Sequence, residues 1–344
     1  MRKNQITTVE AGFYKRKIRY RTVSIILLIL TIFLCGAMLY LGNIKYSPAM
    51  IVRVLLGEEI KGASFAVGTI RLPRLLCGLL TGLAFGMAGN TFQIMLRNPL
   101  ASPDIIGVTS GASVAAVFCI LILRVSGSIV SISAVLSGIA VAAMIYALAR
   151  GGGFSGGRLI LIGIGIQAML NAVVSFLILR GNEHDVASAL RWLRGSLNGM
   201  QMKDVPALLG IVILCGGVQI LFGRQLKILE LGDQSAITLG LNADQTRLIL
   251  VISAVFLVAY ATAVTGPISF VAFLAGPIAG RLLGAGAPNI LPSGLTGAIL
   301  VLSSDLIGQY GFGTKFPVGV VTGILGAPYL IYLLVRMNKS GGGA

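Results

Sequence analysis

The stretch IRLPRLLCGLLTGLAFGMAGNTFQIM, residues 70–95, decides the class of fold to which this chain belongs. Beyond Arg74 it carries no charged residue, and it is longer than the roughly 20 residues that a helix needs to cross the hydrocarbon core of a bilayer. Gly78, Gly82 and Gly86 recur every four residues and form a face without side chains. Such faces let helix backbones approach closely inside membranes. The stretch therefore predicts a membrane-spanning helix that packs tightly against another helix.

Ten apolar stretches of this kind occupy most of the 344 residues. Hydrophobic residues make up 56% of the chain and charged residues 11%, against about 25% charged residues in a soluble domain. The sequence predicts an all-α polytopic membrane protein with about ten transmembrane helices. A basic N-terminal segment at 1–22 precedes a single transmembrane domain at 23–337, and 338–344 form a flexible tail. The spans are predicted at 23–43, 70–95, 106–124, 127–149, 159–179, 205–223, 246–265, 268–283, 291–310 and 317–336.

The distribution of charge predicts how the chain lies in the membrane. Before the first span there is one acid, Glu10, against Arg2, Lys3, Lys15, Arg16, Lys17, Arg19 and Arg21. By the positive-inside rule the N-terminus is cytoplasmic, and an even number of spans returns the C-terminus to the same side. The net charge of +16 lies between apolar runs, where basic residues set topology and meet anionic lipid headgroups. This placement argues against nucleic acid as a partner.

The sequence contains no recognisable catalytic motif. It has no G-x-x-x-x-G-K-[ST] run to hold nucleotide phosphates, so an ATP-driven step needs another polypeptide. Metalloprotease and paired-carboxylate signatures are also missing, so we expect no catalytic residue and no cofactor on this chain. The sole histidine, His184, lies between Glu183 and Asp185. We interpret it as an exposed loop residue and not as a metal ligand, because one imidazole beside two loop acids makes a poor site.

Asp305, in LVLSSDLIGQY, is the one carboxylate well inside a predicted span. An ionisable residue inside a membrane marks a functional site by default. Two interpretations stay open. Asp305 either anchors a hydrogen bond between helices, with Ser303, Ser304 or a helix terminus, or it relays a proton or an ion.

A polar segment, RQLKILELGDQSAITLGLNADQTR at 224–247, separates two spans on the predicted cytoplasmic side. It is typical of two short helices joined at Gly232, with Asp233 placed to cap the second helix and Gly240 to end it. Its apolar face predicts either a docking surface for a cytoplasmic partner or a helix pair on the lipid headgroups. That face contains Leu229, Leu231, Ala236, Ile237, Leu239 and Leu241.

Two arginines stand at the predicted outer end of the second span, in the run RLPR. Arg71 and Arg74 are three residues apart and share one helical face. Their guanidinium groups either grip carboxylates of an extracytoplasmic partner or extend to the membrane interface while their stems stay in the apolar region.

The chain resembles a known family in several motifs that occur in a fixed order. The longest is RLPRLLCGLLTGLAFGMAGNTFQIMLRNPLASPDIIGVTSGAS. The order and spacing are similar to those of the FecCD-type permease subunits of ATP-binding-cassette (ABC) importers for iron–siderophores, haem and cobalamin. Further matches are RWLRGSLNG (191–199), LELGDQSAITLGL (229–241), GPISFVAF (266–273), LSSDLIG with Asp305, and FPVGVVTGILGAPYLIYLL (316–334).

This resemblance implies the type II ABC importer permease fold in the bacterial cytoplasmic membrane. It implies a second permease subunit, identical or a paralogue, two ATPase subunits that bind ATP and Mg²⁺, and an extracytoplasmic substrate-binding protein. The expected function is import of a ferric siderophore by alternating access. Haem or cobalamin is the alternative cargo, and a proton-coupled secondary transporter is the alternative class.

The resemblance also implies roles for individual residues. Arg71 and Arg74 match the rim that meets the binding protein. The coupling helices, about 228–243, match at Leu229, Gly232, Asp233, Ala236, Leu239 and Gly240. The cytoplasmic gate matches at Asn98, Pro99 and Leu100, with a second gate position at Gly156 and Gly157. The chain departs from the family at GPIAGR (276–281), where many relatives carry a proline–histidine–isoleucine run.

Overall fold

Every regular element is helical within residues 2–150, 156–284 and 289–341, which are the residues that the computed structural model describes. The prediction of an all-α chain is confirmed. A π-helical segment lies at Ser64–Arg71, and 3-10 turns lie at Pro103–Ile106 and Met202–Asp204. The α-helices are α1 (Arg2–Tyr40), α2 (Pro48–Leu55), α3 (Leu72–Met95), α4 (Val108–Leu121), α5 (Ser128–Ala149), α6 (Gly156–Arg180), α7 (Glu183–Leu193), α8 (Val205–Leu221), α9 (Gly223–Glu230), α10 (Asp233–Thr238), α11 (Ala243–Thr265), α12 (Val271–Leu283), α13 (Ile290–Tyr310) and α14 (Val318–Gly341).

Ten of these helices coincide, in chain order, with the ten predicted spans. Within the described residues, seven helices are long and apolar enough to cross a membrane: α1, α3, α5, α6, α8, α11 and α13. Three shorter apolar helices, α4, α12 and α14, complete the set. The prediction of about ten transmembrane helices is therefore confirmed.

Both predicted boundaries of the transmembrane domain fall inside helices. α1 runs for 39 residues from Arg2, about 58 Å, so residues 2–22 of the basic segment and the first span as far as Tyr40 form one helix. Its sequence has no helix-breaking proline, since the first proline is Pro48. α14 continues to Gly341, past the predicted boundary at 337. Residues 342–344 of the predicted tail lie outside the described residues.

α3 is the central helix of the bundle. Pro73 occupies its first turn, where a missing N–H leaves no hydrogen bond unmade. Most of the side chains that follow are buried, because α3 is surrounded by α8, α11, α12 and α13. α3 is thereby held in place by four other helices.

The glycine face of α3 packs against α13, which runs antiparallel to it. A Cβ atom on Gly82 would lie 2.5 Å from the Cα of Ala298, and a Cβ atom on Gly86 would overlap the carbonyl of Ser293. α13 contributes Gly297, where a Cβ atom would overlap the carbonyl of Gly82. The predicted close helix contact is confirmed, and its partner is α13.

The departure at GPIAGR has a physical explanation in the packing of α12 on α3. Pro277 has no N–H, so the Phe273 carbonyl four residues earlier loses its helical donor. Gln93 of α3 replaces that donor, since its Nε2 donates to the Phe273 carbonyl at 2.8 Å. Gly276 makes this possible, because a Cβ atom there would overlap Gln93 Oε1. The glycine before the proline thus admits the amide that satisfies the freed carbonyl.

The α3–α13 contact leads to a stability prediction. We expect Gly82→Ala to destabilise the protein by about 1–3 kcal/mol, because the new methyl group meets backbone that has no room to move. The matched control is Gly217→Ala in α8, where a Cβ atom would meet nothing within 4 Å and removal of a helical glycine gains up to about 1 kcal/mol. Thermal melting of both variants in detergent tests this, and equal melting temperatures would contradict the packing account.

Candidate functional sites at the two ends of the bundle

Charged side chains cluster at both ends of α3. The helix has 24 residues and is therefore about 36 Å long. The Arg74 end is named after the arginine in its first turn. The Arg97 end is named after the arginine two residues beyond Met95, where α3 ends. The positive-inside rule predicts that the Arg97 end is cytoplasmic.

At the Arg74 end, Arg74 forms a bidentate ion pair with Asp305 of α13. Nε donates to Oδ2 at 2.7 Å and Nη2 donates to Oδ1 at 2.6 Å, while Nη1 donates to Asn198 Oδ1 at 2.8 Å. Asp305 is 2% exposed. Paired hydrogen bonds of this kind are the strong form of arginine–carboxylate contact. The geometry is that of an anchor between α3 and α13, and its partner is Arg74, not Ser303 or Ser304.

The Arg71 side chain forms hydrogen bonds within this subunit. Its guanidinium donates to the carbonyls of Leu39 at 2.7 Å and Ile44 at 2.6 Å, and the residue is only 9% exposed. Gly42 provides the space, because a Cβ atom there would overlap the guanidinium. Arg71 therefore ties the end of α1 to the start of α3. The sequence did not predict this internal role for a residue placed on the outer rim.

A cavity of about 270 Å³ opens beside these two arginines. Arg71, Arg74 and Asp305 line it together with Lys315, which sequence analysis did not single out. Lys315 is exposed and forms no ion pair within the described residues. On the same end, a hydrogen bond from Arg53 lowers the pKa of Glu58, so that exposed pair adds no net charge. The cavity carries one buried carboxylate and three cationic side chains.

At the Arg97 end, α9 and α10 form a surface that exposes three large apolar side chains among polar ones. Leu229 and Ala236 are buried and hold the two helices against the bundle. Leu231, Ile237 and Leu239 are 63–64% exposed. The six predicted coupling residues are therefore of two kinds. Leu229 and Ala236 support the segment from inside, whereas Leu239 is exposed together with Leu231 and Ile237.

The turns of this segment follow the sequence prediction, but the cap does not. Gly232 has φ +110° and Gly240 φ +81°, a backbone region that favours glycine. Gly232, not Asp233, is the N-cap of α10, and no side chain caps this helix. The Asp233 carboxylate instead accepts hydrogen bonds from Arg247 at 2.7 Å and Arg97 at 3.3 Å. The predicted cap is wrong because these two arginines bind the carboxylate.

The two predicted gate positions lie near each other at the Arg97 end. In the first, Asn98 Oδ1 accepts a hydrogen bond from the Leu100 backbone N–H at 2.9 Å. At the second position, a Cβ atom on Gly156 would lie 3.2 Å from Leu96 Cδ2. Pro99 and Gly157 are both exposed. The predicted gate positions and the α9–α10 segment therefore share one end of the molecule.

The sequence predicts His184 to be an exposed loop residue. The exposure is confirmed, but the loop is wrong. His184 lies in the first turn of α7 and not in a loop, and its side chain is exposed. Among the described residues, no group of three or more His, Cys, Asp or Glu side chains could hold a metal ion. The described side chains at the two ends of the bundle offer ion pairs and exposed apolar surface.

Comparison with known proteins places this arrangement in a family. The chain is 36% identical over 299 residues to the ferric enterobactin transport system permease protein FepG of Escherichia coli, covering 87% of this chain and 91% of that one. It is 34% identical over 274 residues to the cobalamin import system permease protein BtuC of Halobacterium salinarum, covering 79% and 74%. A solved inward-facing structure of a metal-chelate-type ABC transporter aligns with TM-score 0.83 and 25% identity, covering 92% of this chain and 100% of the other.

The family model agrees with these individual relatives. A model of the FecCD transport family matches residues 27–336, from within α1 to within α14. That range contains both ends of the bundle, with all the residues of the Arg74 and Arg97 clusters. The chain therefore belongs to the FecCD transport family.

Proposed function

We propose that this chain is the permease subunit of an ABC importer that moves a ferric siderophore across the bacterial cytoplasmic membrane. It works with a second permease subunit, two ATPase subunits and an extracytoplasmic substrate-binding protein. The observation that carries the proposal is the apolar surface of α9–α10, which lies at the same end as the gate residues. A transporter driven by another protein needs both a place for that protein to act and a gate within reach of it.

The α9–α10 surface has the properties of a docking site for an ATPase subunit. Leu231, Ile237 and Leu239 expose apolar area at an end where polar headgroups or water would surround them, and burial of such side chains gains about 1.5–3 kcal/mol each. Leu229 and Ala236 are buried beneath them, so the surface is attached to the bundle and transmits force. The sequence has no phosphate-binding loop, so ATP and Mg²⁺ belong to the partner.

The Arg74 end supplies a docking site for the binding protein. Its cavity is lined by Arg71, Arg74 and Lys315. Lys315 is exposed, so its ammonium group can pair with a carboxylate of the binding protein. Arg71 and Arg74 already bind groups of the same subunit, so they shape the cavity and contribute positive potential. In this proposal the direct contact to an acidic side chain falls chiefly to Lys315.

The cargo is a metal chelate and not a free ion. The relatives named for ferric enterobactin and for cobalamin both concern large metal complexes, and the solved neighbour is of metal-chelate type. A proton-coupled transporter would need an ionisable group that loads and releases protons along the path. Asp305 is held in the fork of Arg74, which supports the ATP-driven class instead.

The proposed function is tested by uptake in cells that lack this chain and in cells that have it restored. We expect uptake of a radiolabelled ferric siderophore, among ferric enterobactin, ferric hydroxamate and ferric citrate, to be lost and regained. Uptake of labelled cobalamin or haem alone would change the cargo and keep the class. Uptake that survives an inactive ATPase subunit and is abolished by a protonophore would reject the ABC class.

The docking role of the Arg74 end is tested with Lys315→Glu. We expect about tenfold weaker binding of the binding protein, since a like-charge contact replaces a favourable one at a cost of a kcal/mol or more. The matched control is Lys61→Glu, a lysine that is exposed on the same end and does not line the cavity. Arg71→Glu is unsuitable, because it would put a carboxylate among backbone carbonyls and reduce folding. The measurement is the affinity of the binding protein for the permease in nanodiscs. An equal loss of affinity in both lysine variants would rule out the docking role of Lys315.

The docking role of α9–α10 is tested with the double variant Ile237→Asp and Leu239→Asp. Loss of two buried apolar contacts at about 1.5–3 kcal/mol each should weaken ATPase binding by about a hundredfold or more. The control pair Ile237→Leu and Leu239→Met keeps the apolar surface. Co-purification of the ATPase with tagged permease is the measurement. Full recovery of the ATPase with the double aspartate variant would show that this surface faces lipid headgroups.

A further inference from the structure

Arg97 adopts a backbone conformation that is unfavourable for arginine. Its φ is +50°, and it follows directly after the C-cap of α3. The Arg97 N–H donates to the Ile94 carbonyl and the Asn98 N–H to the Gln93 carbonyl, both at 3.0 Å. These two bonds define the Schellman motif, in which the left-handed position is usually glycine. A residue with a Cβ atom is disfavoured there, and this one carries a side chain that reaches Asp233 of α10.

The arginine gains too little stability to account for this strain. Its contact to Asp233 is 3.3 Å long and about half exposed on both sides, and such ion pairs contribute about 0–1 kcal/mol. A left-handed non-glycine residue costs about 1–3 kcal/mol. Strain that stability does not repay is typical of residues with a functional role.

The contact joins three parts of the Arg97 end. Asp233 is the first residue of α10, and its Oδ1 also accepts from Arg247 of α11 at 2.7 Å. Arg97 directly precedes the gate segment Asn98–Leu100. It also follows Leu96, whose side chain lies beside Gly156 of the second gate position. Arg97 therefore contacts α10 through its guanidinium, and its two chain neighbours belong to or contact the predicted gate positions.

We propose that Arg97 is a positioning residue that transmits the movement of α9–α10 to the gate through Asp233. The proposal rests on the proposed permease function and assigns a further residue to it. When the partner displaces α10 relative to α11, Asp233 either carries Arg97 with it or releases it and keeps Arg247. In the first case the turn that holds Asn98 moves as well, because the Schellman bonds join Arg97 and Asn98 in one turn at the end of α3. In the second case that turn loses its contact with α10.

The test is Arg97→Gly in the complete complex with its ATPase subunits and binding protein, reconstituted in liposomes. Glycine suits the left-handed turn, so the fold and the assembly are expected to be kept. We expect transport of the ferric siderophore identified by the uptake assay to fall about tenfold, a usual size for coupling between two sites. ATP hydrolysis should stay within about twofold of the unmodified complex, so the number of chelates moved per ATP falls. Arg97→Lys should restore part of the transport.

The control is Arg124→Gly. Arg124 also has a positive φ, +54°, but it follows α4 at the opposite end, and it forms no ion pair within the part of the chain that the structure describes. We expect it to leave the ratio of transport to hydrolysis unchanged. A double variant, Arg97→Gly with Asp233→Asn, should transport no worse than Asp233→Asn alone, because residues that act through each other are not additive.

The outcomes separate this inference from the function on which it rests. If the unmodified complex moves no chelate with ATP, the proposed function fails. If the unmodified complex transports and Arg97→Gly keeps the same ratio of transport to hydrolysis, the role of Arg97 is overturned and the permease function stands. A loss of ATPase co-purification with Arg97→Gly would also overturn it, because the residue would then serve assembly.

Discussion

The close approach of α3 and α13 is the constraint on which the rest of the structure depends. Lipid tails are as apolar as leucine, so helices in a membrane associate through packing and hydrogen bonds and not through the hydrophobic effect. Gly82 lies against the backbone of Ala298. Two turns toward the start of α3, the same antiparallel register brings Arg74 to Asp305. The glycine face therefore sets the register that lets a buried carboxylate meet its only strong partner among the described residues.

The second constraint is that irregular backbone at membrane depth needs internal partners, since lipid offers none. Two breaks in the C-terminal half show how the chain satisfies it. The Thr265 carbonyl, where α11 ends, accepts from the Ser196 N–H at 2.7 Å. The carbonyl freed by Pro277 accepts from Gln93. Gln93 of α3 thus supplies a hydrogen bond that α12 lacks, so a change at Gln93 alters α12.

Local properties of this protein could be predicted from its sequence, whereas contacts between distant residues could not. The spans follow from hydropathy, and the turn at Gly232 follows from one residue type. The Arg74–Asp305 pair joins residues 231 positions apart, and no local pattern links them. The internal role of Arg71 depends on the missing side chain at Gly42, and Asp233 was mistaken for a cap because its arginine partners lie in other elements.

The two charged clusters differ in a way that fits the two tasks of a coupled transporter. Asp305 is 2% exposed and held by two hydrogen bonds, and separating such a buried pair costs about 3–5 kcal/mol. The contact between Asp233 and Arg97 is about half exposed on both sides, so it is exchanged for water at about 1 kcal/mol or less. The Arg74 end is therefore rigid, which is what the proposed docking of a preformed binding protein requires. The contact at the Arg97 end is remade at low cost, which is what the proposed function requires of an end that alternates between conformations.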